Sequence, residues 1–589
     1  MFSGLRAQAS VLLWHLRATA KIASADPADV DEAVALLRRA LDLVPAGDGR
    51  RPALLGDLSG ALHARFERFG QLDDLQAAVT AGQAATEALP AGHPHRSAML
   101  GNLSTLLLER YERLGDAADL EAAVRLGRDA VESAGRSRYL GPASRSTLAT
   151  ALYARFERQG RPEDLDEAVD TARAALAATS VHPDRATHLS QLGNALALRY
   201  RRTGHLADLD AAIRAGREAL GRTKPGHRDR PGLLSNLSSG LLDRFEHLGE
   251  LGDLDEAVAL ARAAVTAAPA DLPARATFLN ALALTLFQWF KTAGTPGDLD
   301  EAIEAGRSAA EALPADHPER PGRLSNLGMM LRERYERASD RDDLTEAIDR
   351  QREAVELVPA GGLRWSMFRT NLGLALASRF NRDGRRADAD EAVELCREAE
   401  AALPSGEPNR AGCLLNLGYA LRTRFEQTGG PADADAAAQA WRRAAAVSSA
   451  PVAQRAMASA QLGDLFARRG QWEQAAQGYA STVGLLPVVA WHGTSRSSRE
   501  RLLTYWRGLG QFAAACTIGA GGPDAGAASV RLLEQSRGVL WSPLLDARTE
   551  SEALHRAHPD LARRLDAVRT RLDDLRPPES QRLQAKTEG

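Results

Sequence analysis

The side chains best suited to covalent or metal chemistry in this sequence are three cysteines, Cys396, Cys413 and Cys516. They form no CxxC pair, and an odd, small number of cysteines does not build a disulfide framework, which favours a reducing cytoplasm. The sequence has no phosphate-binding GxxxxGKS or GxxxxGKT loop and no GxGxxG, HExxH or GxSxG motif. It therefore predicts a cytoplasmic protein that is not an enzyme and has no catalytic residue, metal site or cofactor.

Three histidines, His93, His227 and His317, lie at equivalent places in loops, beside proline or charged residues. Loops so far apart in the chain cannot bring their imidazoles onto one metal ion. We interpret these histidines as polar loop residues.

Arginines recur in two series. One series occupies a single position of a repeated helix: Arg38, Arg128, Arg173, Arg217, Arg262, Arg307, Arg352, Arg397 and Arg442. It could grip an acidic segment or pair with glutamates on neighbouring helices, such as Glu336 or Glu426. The formal net charge of −3 favours internal pairing. The other series precedes an aromatic residue, as Arg65 precedes Phe66 within reach of Glu67, and we expect it to be structural.

The near-zero charge also argues against nucleic acid as a partner, because nucleic-acid binders usually carry a basic excess. No stretch reaches the roughly 18 apolar residues of a membrane helix, so a membrane partner is not expected either. The apolar run near the N-terminus is broken by His15 and Arg17, which disfavours a secretory signal.

The arginine–aromatic pair defines a period. The aromatic residues are 45 residues apart, with one step of 44, and Phe290 takes its place without the arginine: Phe66, Tyr111, Phe156, Tyr200, Phe245, Phe290, Tyr335, Phe380 and Phe425. A second marker, Asp-Leu-x-x-Ala followed by Val or Ile, keeps the same register, as at Asp343–Ile348. A fixed period of this length is typical of a stacked repeat array.

Each period reads as two helices. Within 321–359, apolar residues at helical spacing predict a first helix over Gly322–Arg337. Most units then have a glycine stop, at Gly70, Gly115, Gly160, Gly204, Gly249, Gly294, Gly384 and Gly429. A second helix is predicted from Asp343, with Asp343 and Glu346 at capping-box spacing, to about Pro359. The same Asp-x-x-Glu spacing recurs at Asp164/Glu167, Asp253/Glu256, Asp298/Glu301 and Asp388/Glu391.

The chain therefore predicts an all-α, right-handed helix-pair solenoid with a helical connector at its C-terminal end. The expected divisions are a capping helix pair (1–45), about ten repeats (46–487), the connector (488–575) and a polar tail (576–589). Connector helices are expected over Ser497–Cys516, Ala525–Trp541 and Glu550–Leu575.

The first helices contain Asn-Leu-Gly, as at Asn326-Leu327-Gly328, and the last unit combines Gly463, Trp472, Tyr479 and Pro487. This pattern resembles the tetratricopeptide repeat, lengthened by about eleven residues; a HEAT-like array, which also has units of this length, is the alternative.

In that family the first helix lines the concave groove, so the resemblance implies a groove for a protein or peptide ligand. The residues expected on that face are Asn102, Asn236, Asn326, Met329, Arg332, Asn371, Asn416, Tyr419 and Arg422. Asparagine amides in a row could bond an extended peptide backbone. The alternative is that they brace adjacent helices.

The segment Leu532–Trp541, followed by His558-Pro559-Asp560, is similar to the connector that precedes the caspase-like CHAT domain in large bacterial repeat proteins. The family's proteolysis depends on a His/Cys dyad downstream of this connector. None of the three cysteines occupies such a place, so no catalytic residue is carried over, and any protease would be a CHAT domain outside this sequence.

The resulting hypothesis is a protein–protein interaction scaffold, or sensor arm, that regulates or presents partners to a CHAT-type protease domain. The alternatives are a self-standing adaptor and, more weakly, an enzyme with an unrecognised site. Five tryptophans lie late in the chain: Trp441, Trp472, Trp491, Trp506 and Trp541. They could form a docking surface or fill the core, and we favour the core.

Overall fold

The structure of the protein is a computed structural model, and all statements below concern the residues that it describes. These are 2–22, 27–135, 137, 140–159, 161–179, 185–270, 272, 274–292, 294–315, 317–489, 503–539, 554, 556, 558–564 and 567. Within these ranges the regular structure is helical and no strand occurs, which confirms the all-α prediction.

The chain divides into two compact units, one of residues 1–245 and 252–323 and the other of residues 246–251 and 324–589. Along the first part of the chain the helices are α1 Phe2–Ile22, α2 Pro27–Leu43, α3 Arg51–Phe69, α4 Leu72–Glu87, α5 Arg96–Leu114, α6 Ala117–Ala134, α7 Leu140–Gln159, α8 Pro162–Ala177, α9 Arg185–Thr203, α10 Leu206–Arg222, α11 Arg230–Leu248, α12 Leu251–Ala267, α13 Arg275–Thr292 and α14 Pro296–Glu311.

The remaining helices are α15 Arg320–Ala338, α16 Arg341–Glu356, α17 Gly362–Asp383, α18 Arg386–Ala401, α19 Arg410–Thr428, α20 Pro431–Ala446, α21 Val452–Arg468, α22 Trp472–Val489, α23 Leu509–Ala520 and α24 Ala525–Gly538. An odd-numbered first helix packs on the even-numbered second helix after it, and first helices of successive pairs also touch, as α17 touches α19. This is the predicted helix-pair solenoid.

Glycine ends many of the first helices as predicted. Gly384 takes a φ of 67°, and its N–H donates to the Phe380 carbonyl at 2.8 Å. Ser339 fills this place after α15 with a φ of 60°, a conformation that disfavours any residue with a Cβ. At Gly294 the hydrogen-bond pattern differs, because its N–H donates to the carbonyls of both Trp289, at 3.0 Å, and Phe290, at 3.3 Å. Gly160 lies outside the described residues.

An arginine at the start of the next first helix donates hydrogen bonds to carbonyls at the end of several second helices. The sequence did not predict this feature. Arg230 donates one guanidinium nitrogen to the Thr223 carbonyl at 2.6 Å and to the Leu220 carbonyl at 3.4 Å. Arg51, Arg96, Arg185, Arg275 and Arg320 do the same for their preceding helices. These contacts satisfy carbonyls that a helix end leaves without an internal partner.

The closest approach within a pair lies at the small residue after Asn-Leu, and the two units fill it differently. In α5, the Ser104 hydroxyl donates to the Ala123 carbonyl of α6 at 2.7 Å. In α19 the residue is Gly418, where a Cβ would lie 2.2 Å from Nε1 of the fully buried Trp441 of α20. The space between the two helices is therefore filled by a first-helix side chain in α5–α6 and by a second-helix side chain in α19–α20.

The C-terminal helices differ from the expected bounds. A turn over 505–508, with Gly508 at a φ of 81°, separates residues 503–504 from α23, which starts at Leu509 and continues to Ala520. The helix expected over Ser497–Cys516 is therefore interrupted at 505–508 and continues past Cys516; its expected start lies outside the described residues. The Glu550–Leu575 helix and the 576–589 tail fall mostly or wholly outside the described residues.

The described part of the chain lacks two features. None of its helices combines the length and the hydropathy needed to cross a bilayer. The same residues contain no group of three or more His, Cys, Asp or Glu side chains arranged to hold a metal ion.

Candidate partner-binding face

The arginine before the aromatic residue of a first helix forms what we call the arginine clamp. Arg155 donates through Nε and Nη2 to Asp164, nine residues on in α8, at 2.8 and 2.6 Å. Its Nη1 donates to Glu121 of the preceding α6 at 2.9 Å. Equivalent arginine–aspartate pairs are Arg65–Asp74, Arg110–Asp119, Arg199–Asp208, Arg244–Asp253, Arg334–Asp343, Arg379–Asp388 and Arg424–Asp433. One guanidinium thus joins three helices.

The partner of the clamp corrects the expectation for Arg65. Its guanidinium bonds to Asp74 and, at 3.1 Å, to Asp31, whereas Glu67 was expected. In the equivalent pair, the hydrogen bond from Arg199 holds the pKa of Asp208 below its ordinary 3.8. A carboxylate held in this way is charged and internally paired at neutral pH.

The clamp also overturns the capping-box prediction at Asp343. Helix α16 begins at Arg341 with Asp340 as its N-cap, so Asp343 lies inside the first turn. Its carboxylate accepts two bonds from Arg334, at 2.8 and 2.6 Å. A bidentate charged donor outweighs a backbone N–H for this acceptor. The same correction applies to Asp164, Asp253 and Asp388.

The α13–α14 pair shows the aspartate without its arginine. Trp289 stands in the arginine position, and Asp298 accepts instead from the backbone N–H of Thr295 at 2.7 Å. Thr295 and Asp298 form a capping box at the start of α14. The predicted box therefore exists at Asp298, but with Thr295 as its partner.

Four arginines of the second-helix series pair with glutamates inside the chain, as the charge balance favoured. Arg128 donates to Glu167 at 2.6 Å, and Arg217–Glu256, Arg262–Glu301 and Arg352–Glu391 repeat the contact between successive second helices. The partners are the Asp-x-x-Glu glutamates, whereas Glu336 and Glu426 were suggested. These side chains are more than one third exposed, so each pair contributes little to stability, about 0–1 kcal/mol.

In the first unit, the proposed face is small and polar. Asn102 of α5 and Asn236 of α11 are exposed, and each precedes a buried leucine. One turn on, the same face presents Thr105 and Ser239. This part of the face offers hydrogen-bonding groups but no apolar anchor.

In the second unit, the face gains large apolar groups. Asn326, Asn371 and Asn416 are half-buried. The residues one turn after them, Met329, Leu374 and Tyr419, are half-buried too. Asn371 donates to the Ser325 hydroxyl of α15 at 3.1 Å, so this asparagine braces two first helices.

The two predicted arginines of this face have partners within the chain. Arg332 forms an ion pair with Glu336 one turn on. Arg422 donates to Gln461 at 2.5 Å and lies 5.3 Å from the Tyr419 ring centre. Tyr419 packs edge-on against Trp441, and burial raises the pKa of its hydroxyl to about 12. Arg422 therefore belongs to the packing around α19–α21.

The late tryptophans divide between core and surface. Trp441 is fully buried, Trp506 is half-buried and Trp472 is 44% exposed. Trp491 and Trp541 lie outside the described residues. The core interpretation therefore holds for Trp441.

The remaining candidate residues for chemistry have structural roles. Cys396, Cys413 and Cys516 are free and buried, and burial raises the pKa of the Cys396 thiol to about 12. A thiol with so high a pKa is a poor nucleophile at neutral pH. The loop histidines accept, through Nδ1, a backbone N–H two residues on, as His227 does from Asp229 at 3.2 Å.

The tetratricopeptide-repeat family matches residues 185–229, 322–357 and 367–400. A solved human IFIT1 dimer with PPP-AAAA is 15% identical over 78% of this chain and 87% of its own, with a TM-score of 0.43. Yeast Tom70 is 14% identical over 86% of this chain and 96% of its own, with a TM-score of 0.36. Comparison with curated proteins gave no match. The family match confirms the predicted tetratricopeptide repeats in these three segments.

Proposed function

We propose that this tetratricopeptide-repeat chain is a scaffold, or sensor arm, that binds a protein or peptide along its first helices. The chain would regulate or present its partners to a CHAT-type protease domain. The observation that carries the binding proposal is the stripe on α15, α17 and α19. There, half-buried asparagines stand one turn before Met329, Leu374 and Tyr419.

This combination suits an extended peptide. An asparagine amide offers both a donor and an acceptor to a peptide backbone. Methionine adapts its shape to different side chains, and tyrosine is enriched among residues that dominate binding energy. The arginines of the clamp and four arginines of the second helices are already paired internally, which makes this stripe the better candidate.

The binding proposal is tested by affinity capture from lysate, followed by mass spectrometry. A Met329→Asp, Leu374→Asp double variant should lose the captured partner, because it introduces charge where an apolar contact is expected. The matched control is Thr105→Asp with Ser239→Asp, at equivalent positions of the first unit. Equal recovery of the partner by both variants and by the unmodified chain would contradict the binding proposal.

The protease link needs a separate observation. The captured proteins, or the coding sequence beside this one, should include a caspase-like domain with a His/Cys dyad. Adding the captured partner to that domain together with this chain should change the rate of substrate cleavage. Nuclease treatment before capture distinguishes a protein partner, which remains bound, from one tethered by nucleic acid. A partner without any such protease would favour the self-standing adaptor.

A further inference from the structure

A cleft of about 210 Å³ lies where α22, α23 and α24 meet, in a part of the chain that the first-helix stripe does not include. Its apolar wall consists of Leu486, Leu503, Leu533 and the ring of Trp506. A volume of this size exceeds that of several water molecules, at about 30 Å³ each. The cleft can therefore hold one long side chain.

The polar lining of this cleft is basic. Arg507 comes from the turn before α23 and Arg537 from the last turn of α24, and both are exposed. The lining contains no Asp or Glu, and neither guanidinium has an ion pair with a carboxylate of the described residues. This distinguishes the two from the arginines of the clamp, which have acidic partners.

Two more features favour negative charge here. Helix α23 starts after Gly508 without a side-chain cap. The Leu509 N–H donates to the Trp506 carbonyl at 3.2 Å, so among the described residues the N–H groups of Gly510 and Gln511 are the ones left for another acceptor. Gly510 allows α24 to come close, since a Cβ there would lie 1.9 Å from the Ser536 hydroxyl. The N-terminus of α23 and Arg537 of α24 therefore line the same cleft.

We propose that this cleft binds a glutamate side chain of an acidic polypeptide partner. The carboxylate would lie between Arg507 and Arg537, in the bidentate geometry that guanidinium groups prefer. The methylene groups would lie against Leu503 and Leu533, a contact that a free phosphate ion lacks. The proposal rests on the proposed role as a binding scaffold and adds the chemistry of a second contact.

The test uses the full chain and fluorescently labelled peptides, with binding measured by anisotropy. A peptide with a central Leu-Glu-Glu-Leu should bind, and its Leu-Gln-Gln-Leu counterpart should not. Arg507→Gln and Arg537→Gln should each weaken binding by about fivefold or more, the upper range for exposed charge pairs. The matched control is Arg531→Gln, an exposed position of α24 outside the cleft lining, which should leave affinity unchanged.

Three results would overturn the proposal. The first is unchanged affinity in the Arg507→Gln, Arg537→Gln double variant. The second is an Arg537→Gln chain that melts at lower temperature yet binds normally, since Arg537 would then only stabilise the C-terminal end of α24. The third is inorganic phosphate that binds more tightly than the peptide. The Met329→Asp, Leu374→Asp variant should still bind the peptide. A failure of the cleft proposal can therefore be distinguished from a failure of the proposal for the first-helix stripe.

Discussion

The two units close the gap within a helix pair from opposite sides. In the first unit, the hydroxyl of Ser104 on a first helix donates to the Ala123 carbonyl of the second helix. Ser59 and Ser238 repeat this bond to Ala78 and Ala257. In the second unit, Trp441 on a second helix donates to the Leu415 carbonyl of the first helix at 3.0 Å. Gln351 makes the equivalent bond to Ser325 at 2.8 Å.

The helix that supplies the hydrogen-bond donor also supplies the larger of the two facing side chains. Where the first helix supplies a serine, the facing second-helix residue is small, and a Cβ on Gly82 would lie 3.2 Å from the Ser59 hydroxyl. In α15, α17 and α19, where the first helix supplies glycine, the facing residue is Gln351, Cys396 or Trp441. In these pairs one repeat geometry accepts either arrangement, because the volumes of the two facing positions are complementary.

The largest effect is expected at Trp441. Replacing this fully buried side chain by alanine should destabilise the second unit by about 3–5 kcal/mol, because the cavity cannot be refilled by Gly418. Denaturant unfolding and hydrogen exchange in α19 and α20 measure the loss. Trp472→Ala is the control, and its exposure of 44% predicts a clearly smaller loss. Equal losses would contradict the assigned core role.

The facing glycine should be the next most sensitive position. Gly418→Ala forces a Cβ against Trp441 and should cost about 1–3 kcal/mol. Combining Gly418→Ser with Trp441→Gly recreates the arrangement of the first unit. The double variant should be more stable than the sum of its single changes predicts, by about 1 kcal/mol or more. Strict additivity in unfolding experiments would show that the two positions do not share one space.

The serine–carbonyl hydrogen bond of the first unit should contribute less to stability than the packing around Trp441. Ser104→Ala removes a buried hydrogen bond and should cost about 0.5–1.5 kcal/mol. The neighbouring Thr105→Ala changes an exposed hydroxyl and is the control. Thermal unfolding of the two variants compares them directly. A larger loss for Thr105 would indicate that the Ser104 bond does not secure the pair.

The smallest effect, a gain, is expected at the stop of α15. Ser339 has a left-handed φ of 60°, whereas the equivalent stop after α17 is Gly384. Ser339→Gly should stabilise by about 0.5–1 kcal/mol, because glycine takes this conformation without strain. Ser339→Ala retains the Cβ and should give no gain in thermal unfolding. A melting temperature that rises equally in both variants would exclude backbone strain as the cause.

The exposure of side chains along the predicted face follows from the sequence more directly than their contacts do. Asn102 and Asn236 are exposed as a binding row requires, and the spacing of Asn-Leu within a helix fixes that result. Asn371 instead bonds to Ser325, and Arg422 packs against Tyr419 and bonds to Gln461. Those partners come from neighbouring helices, so the spacing within one repeat does not indicate them.

By itself, the sequence determined the 45-residue period, the helix pairs and the glycine stop after α17, because periodicity and backbone preference act within a few residues. Only the tertiary structure decided which acceptor each side chain takes. Asp343 and Asp298 share one sequence context, yet the first binds Arg334 and the second caps α14. The first helix before Asp343 supplies Arg334, whereas the first helix before Asp298 has Trp289 at that position. Where packing brings a charged donor close, the aspartate binds it in preference to a local backbone N–H.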